Sequence, residues 1–238
     1  MLNLKNKKVM YIIFSITCII LITFYKIFIT NNIFLLKQNV YSNRLFVNKN
    51  EAYNTIINSD YFKNLNLINM KIRGCNNLSK CKELYKNNII NFTEDEKNIL
   101  INLIKLSEKY LKNKKYKLKY FNQIPWRFSK ITDIEQGFPH THSNIIYLSN
   151  SFFNNDDDIS KLETLIHEKL HVYQRIYPKK TQDLYQKYKF YKIAKRNFPM
   201  RRTNPDLDNY DYNYKGIIFY KKLKTNPTNL MDSYNEFI

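Results

Sequence analysis

The sequence predicts an α+β fold, with a small sheet and a histidine-bearing helix, preceded by an N-terminal transmembrane helix. Three observations lead to this prediction: an uncharged apolar run near the N-terminus, two strongly amphipathic helical stretches, and short strand-like segments between those stretches. About 200 residues follow the apolar run. This length suits one globular domain preceded by a stalk or a small subdomain.

The apolar run near the N-terminus predicts a membrane anchor. It extends from Val9 to Tyr25 and resumes after Lys26, so residues 9–29 can span a bilayer if Lys26 reaches towards the interface. Bulky residues follow the run where a signal peptidase needs small ones, which favours an uncleaved signal anchor. Three lysines precede the span, against Lys26 and Lys37 after it. This bias predicts a single-pass protein with a cytosolic N-terminus and a lumenal or extracellular body.

Three segments follow from this reasoning. Residues 1–30 form the cytosolic tip and the signal anchor, residues 31–92 form a stalk or a small helical subdomain, and residues 93–238 form the main domain. Cys75 and Cys81 lie in a polar stretch of the second segment. They are close enough in sequence to form a small disulfide loop in an oxidising compartment, which agrees with the predicted topology.

The main domain begins with a helix and continues into a small sheet. Thr93 and Glu96 form a capping box in front of an amphipathic helix at 94–111. Strand candidates follow at 115–121, 126–131 and 144–149. After the histidine-bearing helix come a basic helix at 181–196 and a strand or short hairpin at 216–223.

The histidine-bearing helix has clear ends. Asn155 and the three aspartates after it supply an N-cap and first-turn carboxylates, which suit the positive end of the helix dipole. The helical pattern then extends from Ile159 to Tyr177, and Pro178 ends it.

The sequence His167-Glu168-Lys169-Leu170-His171 stands inside this helix. Residues i and i+4 share one helical face, so both imidazoles can reach one metal ion while Glu168 lies beside it as a base. The chain contains only four histidines, and all of them lie between His140 and His171, which favours a site over scattered placement. The motif therefore predicts a Zn²⁺ site with His167 and His171 as ligands and Glu168 as the general base.

Residues 139–177 resemble the zincin-type metallopeptidases, whose active-site helix carries H-E-x-x-H and follows a strand that lines the substrate cleft. The wider pattern around the motif is similar to that of uncharacterised metallopeptidase-like proteins of large DNA viruses. The resemblance implies a zincin-like domain that hydrolyses peptide bonds in a peptide or protein substrate by means of a zinc-activated water. It also implies a virion or a host endomembrane as the location of the anchor.

The third zinc ligand has several candidates. Metzincins carry a glycine where this chain has Gln174, and no histidine follows His171, so a ligand from the C-terminal side must be a carboxylate. Gluzincins place this carboxylate on a later helix. The candidates are Glu236, Asp208 and Asp206, with Asp211 beside them.

A less favoured third ligand is His142 or His140, from the strand-like segment before the motif helix. These two histidines are better candidates for contact with substrate or with the developing oxyanion, and Tyr210 is a further candidate for that role.

The formal net charge is +19, with 39 basic residues and 20 tyrosines. Lysine, asparagine, isoleucine, tyrosine and phenylalanine all have A/T-rich codons, which explains this composition without selection for a basic surface. Arginine-rich arms, RNP-like segments and zinc-finger spacings are all missing from the sequence, so we expect no specific nucleic-acid partner. Two alternatives stay open: a catalytically inactive, membrane-tethered zincin-like binding or structural protein, and a basic nucleic-acid- or lipid-binding membrane protein.

Overall fold

A computed structural model describes residues 45–113, 120–155, 157–194, 200–206 and 210–237. Phe46–Ile238 form one compact unit with an α+β fold and small sheets, as predicted. The predicted membrane anchor at 9–29 lies outside the described residues. Among the helices that are described, none combines the length and the apolar character needed to cross a membrane.

The compact unit begins with helices, continues with a first sheet and two further long helices, and ends with a second sheet. The helices are α1 (Lys49–Ile57), α2 (Asp60–Lys63), α3 (Leu67–Ile72), α4 (Leu78–Asn88), α5 (Glu94–Asn113), α6 (Asn150–Phe153), α7 (Asp158–Ile176) and α8 (Pro178–Lys187). The strands are β1 (Ile89–Ile90), β2 (Phe128–Ile131), β3 (His140–His142), β4 (Ile145–Leu148), β5 (Phe190–Ala194), β6 (Tyr210–Tyr214), β7 (Ile217–Leu223) and β8 (Ser233–Phe237).

The first sheet has the strand order β1-β2-β4-β3. Strands β2 and β4 are parallel, and the other two pairs are antiparallel. These two parallel strands lie within the segments predicted at 126–131 and 144–149, whereas the candidate at 115–121 lies mostly outside the described residues. Strand β3 is last in this order and turns directly into β4 through Ser143, whose φ is +52°.

The side chains of β3 alternate between the two faces of the first sheet. His140 and His142 pair with Tyr147 and Ile145 of β4, and all four side chains lie on the face covered by α1 to α4. Thr141 points to the opposite face, where Arg175 of α7 donates a hydrogen bond to its hydroxyl. The sheet therefore separates the imidazoles of β3 from the side chain of Thr141.

Helices α5 and α7 begin as the sequence predicts. The Thr93 backbone N–H donates to Glu96 Oε2 over 2.8 Å and the Glu96 N–H donates to Thr93 Oγ1 over 3.2 Å, which confirms the capping box. Asp157 is the N-cap of α7, where its carboxylate accepts from the Ile159 N–H over 2.9 Å. Helix α7 ends at Ile176, and Pro178 is the first residue of α8.

The prediction of a basic helix at 181–196 is wrong in its second half. Helix α8 ends at Lys187, Lys189 adopts a φ of +66°, and Phe190–Ala194 then form β5. Aromatic and β-branched residues suit a strand here because β6 offers an antiparallel partner. Of the two alternatives predicted at 216–223, the strand is confirmed: β7 fills this range and pairs antiparallel with β6 across a turn at Lys215 and Gly216, both with positive φ.

Helices α1 to α4 lie in the segment that was predicted as a stalk or a small helical subdomain. Their buried side chains, such as Ile56, Phe62 and Tyr85, share one core with Ile145 and Tyr147 of the first sheet. Cys75 and Cys81 form a disulfide in this region, with Cα atoms 5.2 Å apart. These helices therefore support the sheet from the face opposite α7.

Candidate functional site

Helix α7 brings the two histidines of the motif together. Their Nε2 atoms are 3.0 Å apart, and the rings meet edge to face with centroids 4.6 Å apart. Two imidazoles whose Nε2 atoms converge on one point can share a cation between them. The i, i+4 spacing thus produces the paired arrangement that the sequence predicts.

Gln174, one turn after His171, determines which nitrogen of His171 is free. Its Oε1 atom lies 3.0 Å from Nδ1 of His171, and its Nε2 atom donates to the Tyr185 hydroxyl of α8 over 2.8 Å. With the amide oriented in this way, Nδ1 of His171 carries the proton and Nε2 keeps its lone pair. This contact is the kind of outer-shell hydrogen bond that orients a histidine for metal binding.

Glu168 is almost completely buried beside the histidine pair, with 4 % of its surface exposed. Its Oε2 atom is inaccessible to solvent and has no hydrogen-bond partner. Burial raises the pKa of this carboxyl and the negative charge of Asp206 raises it further, to about 9, although Arg175 acts in the opposite direction. The site therefore holds a carboxyl group whose polar atom lacks a partner within the protein.

Asp206 is the carboxylate candidate that the structure brings to the histidine pair. Its charge acts on His171, where it opposes the lowering of the pKa by burial, and it lines the same cleft as His167. Its Oδ1 atom accepts from the Thr141 backbone N–H over 2.8 Å and from Thr141 Oγ1 over 3.0 Å. Within the described part of the chain, no hydrogen bond reaches Oδ2, so one oxygen remains available for a ligand.

Arg175 connects the three elements that form this site. From α7 it donates to the Thr141 hydroxyl, to the Thr141 carbonyl over 3.2 Å and to the Pro205 carbonyl over 2.7 Å. The residue before Asp206 is thereby tied to the motif helix. This bonding holds Asp206 against the edge strand without occupying its carboxylate.

Asn69 of α3 and Arg73, which directly follows α3, hold the rest of the segment at 200–206. Asn69 Oδ1 accepts from the Thr203 N–H over 2.9 Å, and Asn69 Nδ2 donates to the Arg201 carbonyl over 2.9 Å. Arg73 donates to the Thr203 carbonyl over 3.3 Å and forms a buried ion pair with Glu135 over 2.9 Å. The segment that carries Asp206 is therefore fixed by buried side chains on both of its flanks.

A cleft of about 490 Å³ opens in front of the motif helix. Polar side chains from α7 and from the segment at 200–206 form one wall, and apolar side chains from the loop before β3 form another. The lining includes Glu163, Thr164, His167, Glu168, Arg202, Asn204, Asp206, Phe138, Pro139 and Leu230. The cleft is large enough for a few residues of an extended peptide.

His140 and His142 lie apart from the histidine pair. His140 stacks on Tyr147, and its Nδ1 atom is 2.9 Å from the Phe138 carbonyl, so Nδ1 donates and Nε2 is an acceptor. His140 contributes to the cleft wall, whereas His142 packs against Tyr61 and Tyr147 and has no hydrogen-bond partner on either nitrogen. Burial lowers the pKa of His142, and His140 and Arg175 lower it further. Nε2 of His140 is buried and has no hydrogen-bond partner in the described part of the chain.

The remaining candidates have different positions. Asp208 lies outside the described residues. Glu236 lies in β8, where it pairs with Tyr220 of β7. It is therefore on a strand, whereas gluzincins carry their third-ligand carboxylate on a later helix. Tyr210 is the first residue of β6. Asp211 is buried in an ion pair with Arg201.

The donor chemistry of the site fits zinc. Two imidazole nitrogens and a carboxylate oxygen are ligands that zinc accepts, and the unpartnered Oε2 atom of Glu168 is the polar atom that such a site would place beside bound water. In the ranges that the structure describes, however, no group of three or more His, Cys, Asp or Glu side chains is close enough to hold a metal ion. His167 and His171 therefore form a pair, and Asp206 lines the same cleft without lying close enough to complete a group of three.

Several residues that build this site were not identified from the sequence. Thr141, Arg175, Asn69 and Arg73 hold Asp206 in place, and they contact residues far away in the chain. The role of Gln174 was not predicted either, but its position one turn after His171 is a local signal that could have identified it as an outer-shell partner.

Comparison with protein-family models, with curated protein sequences and with solved structures finds no match to this chain. The geometry of the site is therefore the basis for a functional assignment.

Proposed function

We propose that this chain is a membrane-anchored, zinc-dependent metallopeptidase with a zincin-like catalytic domain. The observation that carries the proposal is the convergence of the His167 and His171 Nε2 atoms, 3.0 Å apart, beside the buried and unpartnered carboxyl of Glu168. The order of elements also supports it, because α5, the first sheet and α7 follow one another as the zincin resemblance implies.

His167, His171 and Asp206 are the residues that would hold the zinc ion. His171 is oriented by Gln174, and Asp206 by Thr141 and the neighbouring Pro205–Arg175 contact. When bound, zinc supplies a Lewis acid that polarises a carbonyl and lowers the pKa of water towards neutrality. A shift of the Asp206 carboxylate towards the histidine pair would complete the set of three protein donors.

Glu168 is the general base in this proposal. Glu168 lines the cleft and its buried Oε2 atom has no protein partner, so a water molecule that enters from the cleft and reaches this atom would donate to it. The positive charge of a bound zinc ion would lower the raised pKa of this carboxyl, and the ionised group would take a proton from the water as the water attacks the peptide carbonyl. The protonated group would then give the proton to the nitrogen that leaves.

The partners and the location follow from the same proposal. The substrate is a peptide or protein segment in extended conformation, which fits a cleft of about 490 Å³ beside an edge strand. Residues 9–29 would anchor the chain, with the catalytic domain on the lumenal or extracellular side of a virion or host endomembrane.

Peptide hydrolysis tests the proposal directly. We expect the full-length chain, purified in detergent with zinc, to cleave members of a mixed peptide pool, as detected by mass spectrometry of the products. Glu168→Gln should abolish cleavage while the zinc content stays unchanged. Glu83→Gln removes an exposed carboxylate on α4 and serves as the matched control. Equal cleavage by the wild type and by Glu168→Gln would contradict the assigned role.

One observation favours a second candidate, a catalytically inactive zincin-like protein that is tethered to the membrane and binds a partner. The described residues contain no group of three metal-binding side chains. This candidate predicts that the cleft binds peptides without hydrolysing them. A stable protein that carries no zinc and yields no cleavage products would favour it.

A further inference from the structure

Arg202 is a cationic side chain in the cleft wall that lacks a protein partner. It lies in the same lining as His167 and Glu168, and its Nε atom is inaccessible to solvent and makes no hydrogen bond. No carboxylate of the described residues comes within salt-bridge distance of its guanidinium group. Burial lowers the pKa of Arg202 and the positive charge of Arg73 lowers it further, whereas the charges of Glu135 and Asp206 act in the opposite direction.

The backbone around Arg202 is fixed. The Arg202 N–H donates to the Lys221 carbonyl of β7 over 2.8 Å, and the residues on either side of Arg202 are held by the side-chain amide of Asn69. A side chain on such a segment is positioned before any ligand arrives, which reduces the entropy lost on binding.

The two carboxylates whose charges act on Arg202 are bound to other groups. Glu135, a buried carboxylate of the cleft wall, is bound to Arg73 over 2.9 Å and also accepts from the hydroxyls of Tyr61 and Tyr85. Asp206 accepts two hydrogen bonds from Thr141 and is the proposed third zinc ligand. A partly buried guanidinium without a partner is unfavourable unless an anion supplied from outside completes it.

We propose that Arg202 is a specificity residue that binds a carboxylate of the peptide substrate. The inference deepens the proposed peptidase function and rests on it. A guanidinium fork binds a carboxylate through two parallel hydrogen bonds, which matches an Asp or Glu side chain or a free C-terminus. Phe138, Pro139 and Leu230 line the same cleft and would contact the apolar part of the bound residue.

Binding of two peptide pairs to the inactive Glu168→Gln chain tests this role without any turnover. The first pair consists of acetylated peptide amides with a central Glu or Gln, and the second pair of one neutral peptide as its free acid or its amide. We expect one acidic member to bind about tenfold more tightly than its neutral counterpart by titration calorimetry, the effect of a charge-assisted hydrogen-bond pair. A preference in the first pair identifies a side-chain carboxylate, and a preference in the second identifies a chain terminus.

Substitution of Arg202 assigns the preference to this residue. Adding Arg202→Gln should reduce it to less than about twofold, and adding Arg202→Lys should retain part of it because the charge remains without the fork. Lys221→Gln removes an exposed positive charge outside the cleft and should leave the preference unchanged. Circular dichroism verifies that each variant is folded.

The outcomes separate this inference from the peptidase proposal. Equal or absent binding of acidic and neutral peptides, or a preference that persists in Arg202→Gln, would overturn the role of Arg202. If the wild-type chain carries no zinc and cleaves no peptide, while a carboxylate preference that depends on Arg202 is present, the role of Arg202 stands and the peptidase proposal fails. The titration is therefore repeated after treatment with a chelator, and we expect the same preference for the carboxylate.

Discussion

Nδ1 of His171 lies 3.0 Å from Oε1 of Gln174, and this contact leaves Nε2 of His171 facing Nε2 of His167. The glutamine amide is itself oriented by the Tyr185 hydroxyl, so a residue of α8 determines the tautomer of a histidine on α7. Gln174 thereby adds a fourth functional side chain to the His167, Glu168 and His171 of the motif. This addition gives the first prediction.

Replacing Gln174 by Leu should weaken zinc binding about tenfold, because His171 loses the hydrogen bond that fixes its ring orientation and its tautomer. Competition with a fluorescent chelator measures the affinity. Tyr185→Phe removes only the hydroxyl that orients Gln174 and should have a smaller effect in the same direction. Unchanged zinc affinity in Gln174→Leu would show that this hydrogen bond does not prepare His171 for the metal.

Asp206 is the proposed third ligand, and replacing it by Asn should weaken zinc binding by more than about 100-fold, beyond the range of outer-shell effects. Glu163→Gln is the matched control, because Glu163 is an exposed carboxylate of the same cleft wall, one turn before His167. If both variants lose affinity to the same small extent, the carboxylates act only through their charge, and the third ligand lies elsewhere.

Thr141 positions Asp206 through two hydrogen bonds, one of which comes from its hydroxyl over 3.0 Å. The isosteric substitution Thr141→Val removes this donor and the acceptor that Arg175 uses. We expect the free energy of unfolding to fall by about 1–2 kcal/mol, the range for breaking buried hydrogen bonds, and zinc affinity to fall with it. Urea denaturation checks the first effect. A loss of stability with unchanged zinc affinity would show that Thr141 does not position Asp206 for zinc binding.

Glu135 should make stability depend on pH in the acid range. Burial alone raises its pKa, but Arg73 and the hydrogen bonds to the carboxylate lower it more, so its pKa lies well below the usual range. Because the folded pKa is below the unfolded one, the stabilisation is present above pH of about 4 and decreases as pH falls below that value. Urea denaturation between neutral pH and pH of about 3 follows the loss.

Glu135→Gln should lower the free energy of unfolding at neutral pH by about 3 kcal/mol, because it leaves Arg73 buried without a counter-charge. The variant should also lose part of the acid dependence of the wild type. Glu83→Gln removes a carboxylate from an exposed ion pair and should change stability by less than about 0.5 kcal/mol. If the free energy of unfolding changed with pH in the same way in the wild type and in Glu135→Gln, the pH dependence would not come from Glu135.

Local signals predicted the elements that carry the histidine pair. The capping box at Thr93 and Glu96 and the N-cap aspartate of α7 are satisfied within a few residues, so they can be read from the sequence directly. The i, i+4 spacing of His167 and His171 likewise depends only on helix geometry.

Contacts between distant parts of the chain could not be predicted in this way. Asn69 and Arg73 hold Thr203 across sequence separations of 134 and 130 residues, and neither is part of a recognisable pattern. The choice among the carboxylate candidates depends on these contacts. Strand β5 lies in the segment predicted as a basic helix, because lysines flank it on both sides. Its own residues are mostly aromatic or aliphatic, and antiparallel pairing with β6 makes them a strand.

The metal content of the purified full-length chain tests the central claim most directly. The zincin account predicts about one zinc per chain by elemental analysis, and none in His171→Ala, which removes one of the two converging imidazoles. His142→Phe is the control, because His142 packs against Tyr61 and Tyr147 on the other face of the first sheet, away from the cleft lining, and should leave the zinc content unchanged. A well-folded wild-type protein without zinc, or equal zinc in the wild type and His171→Ala, would contradict the account.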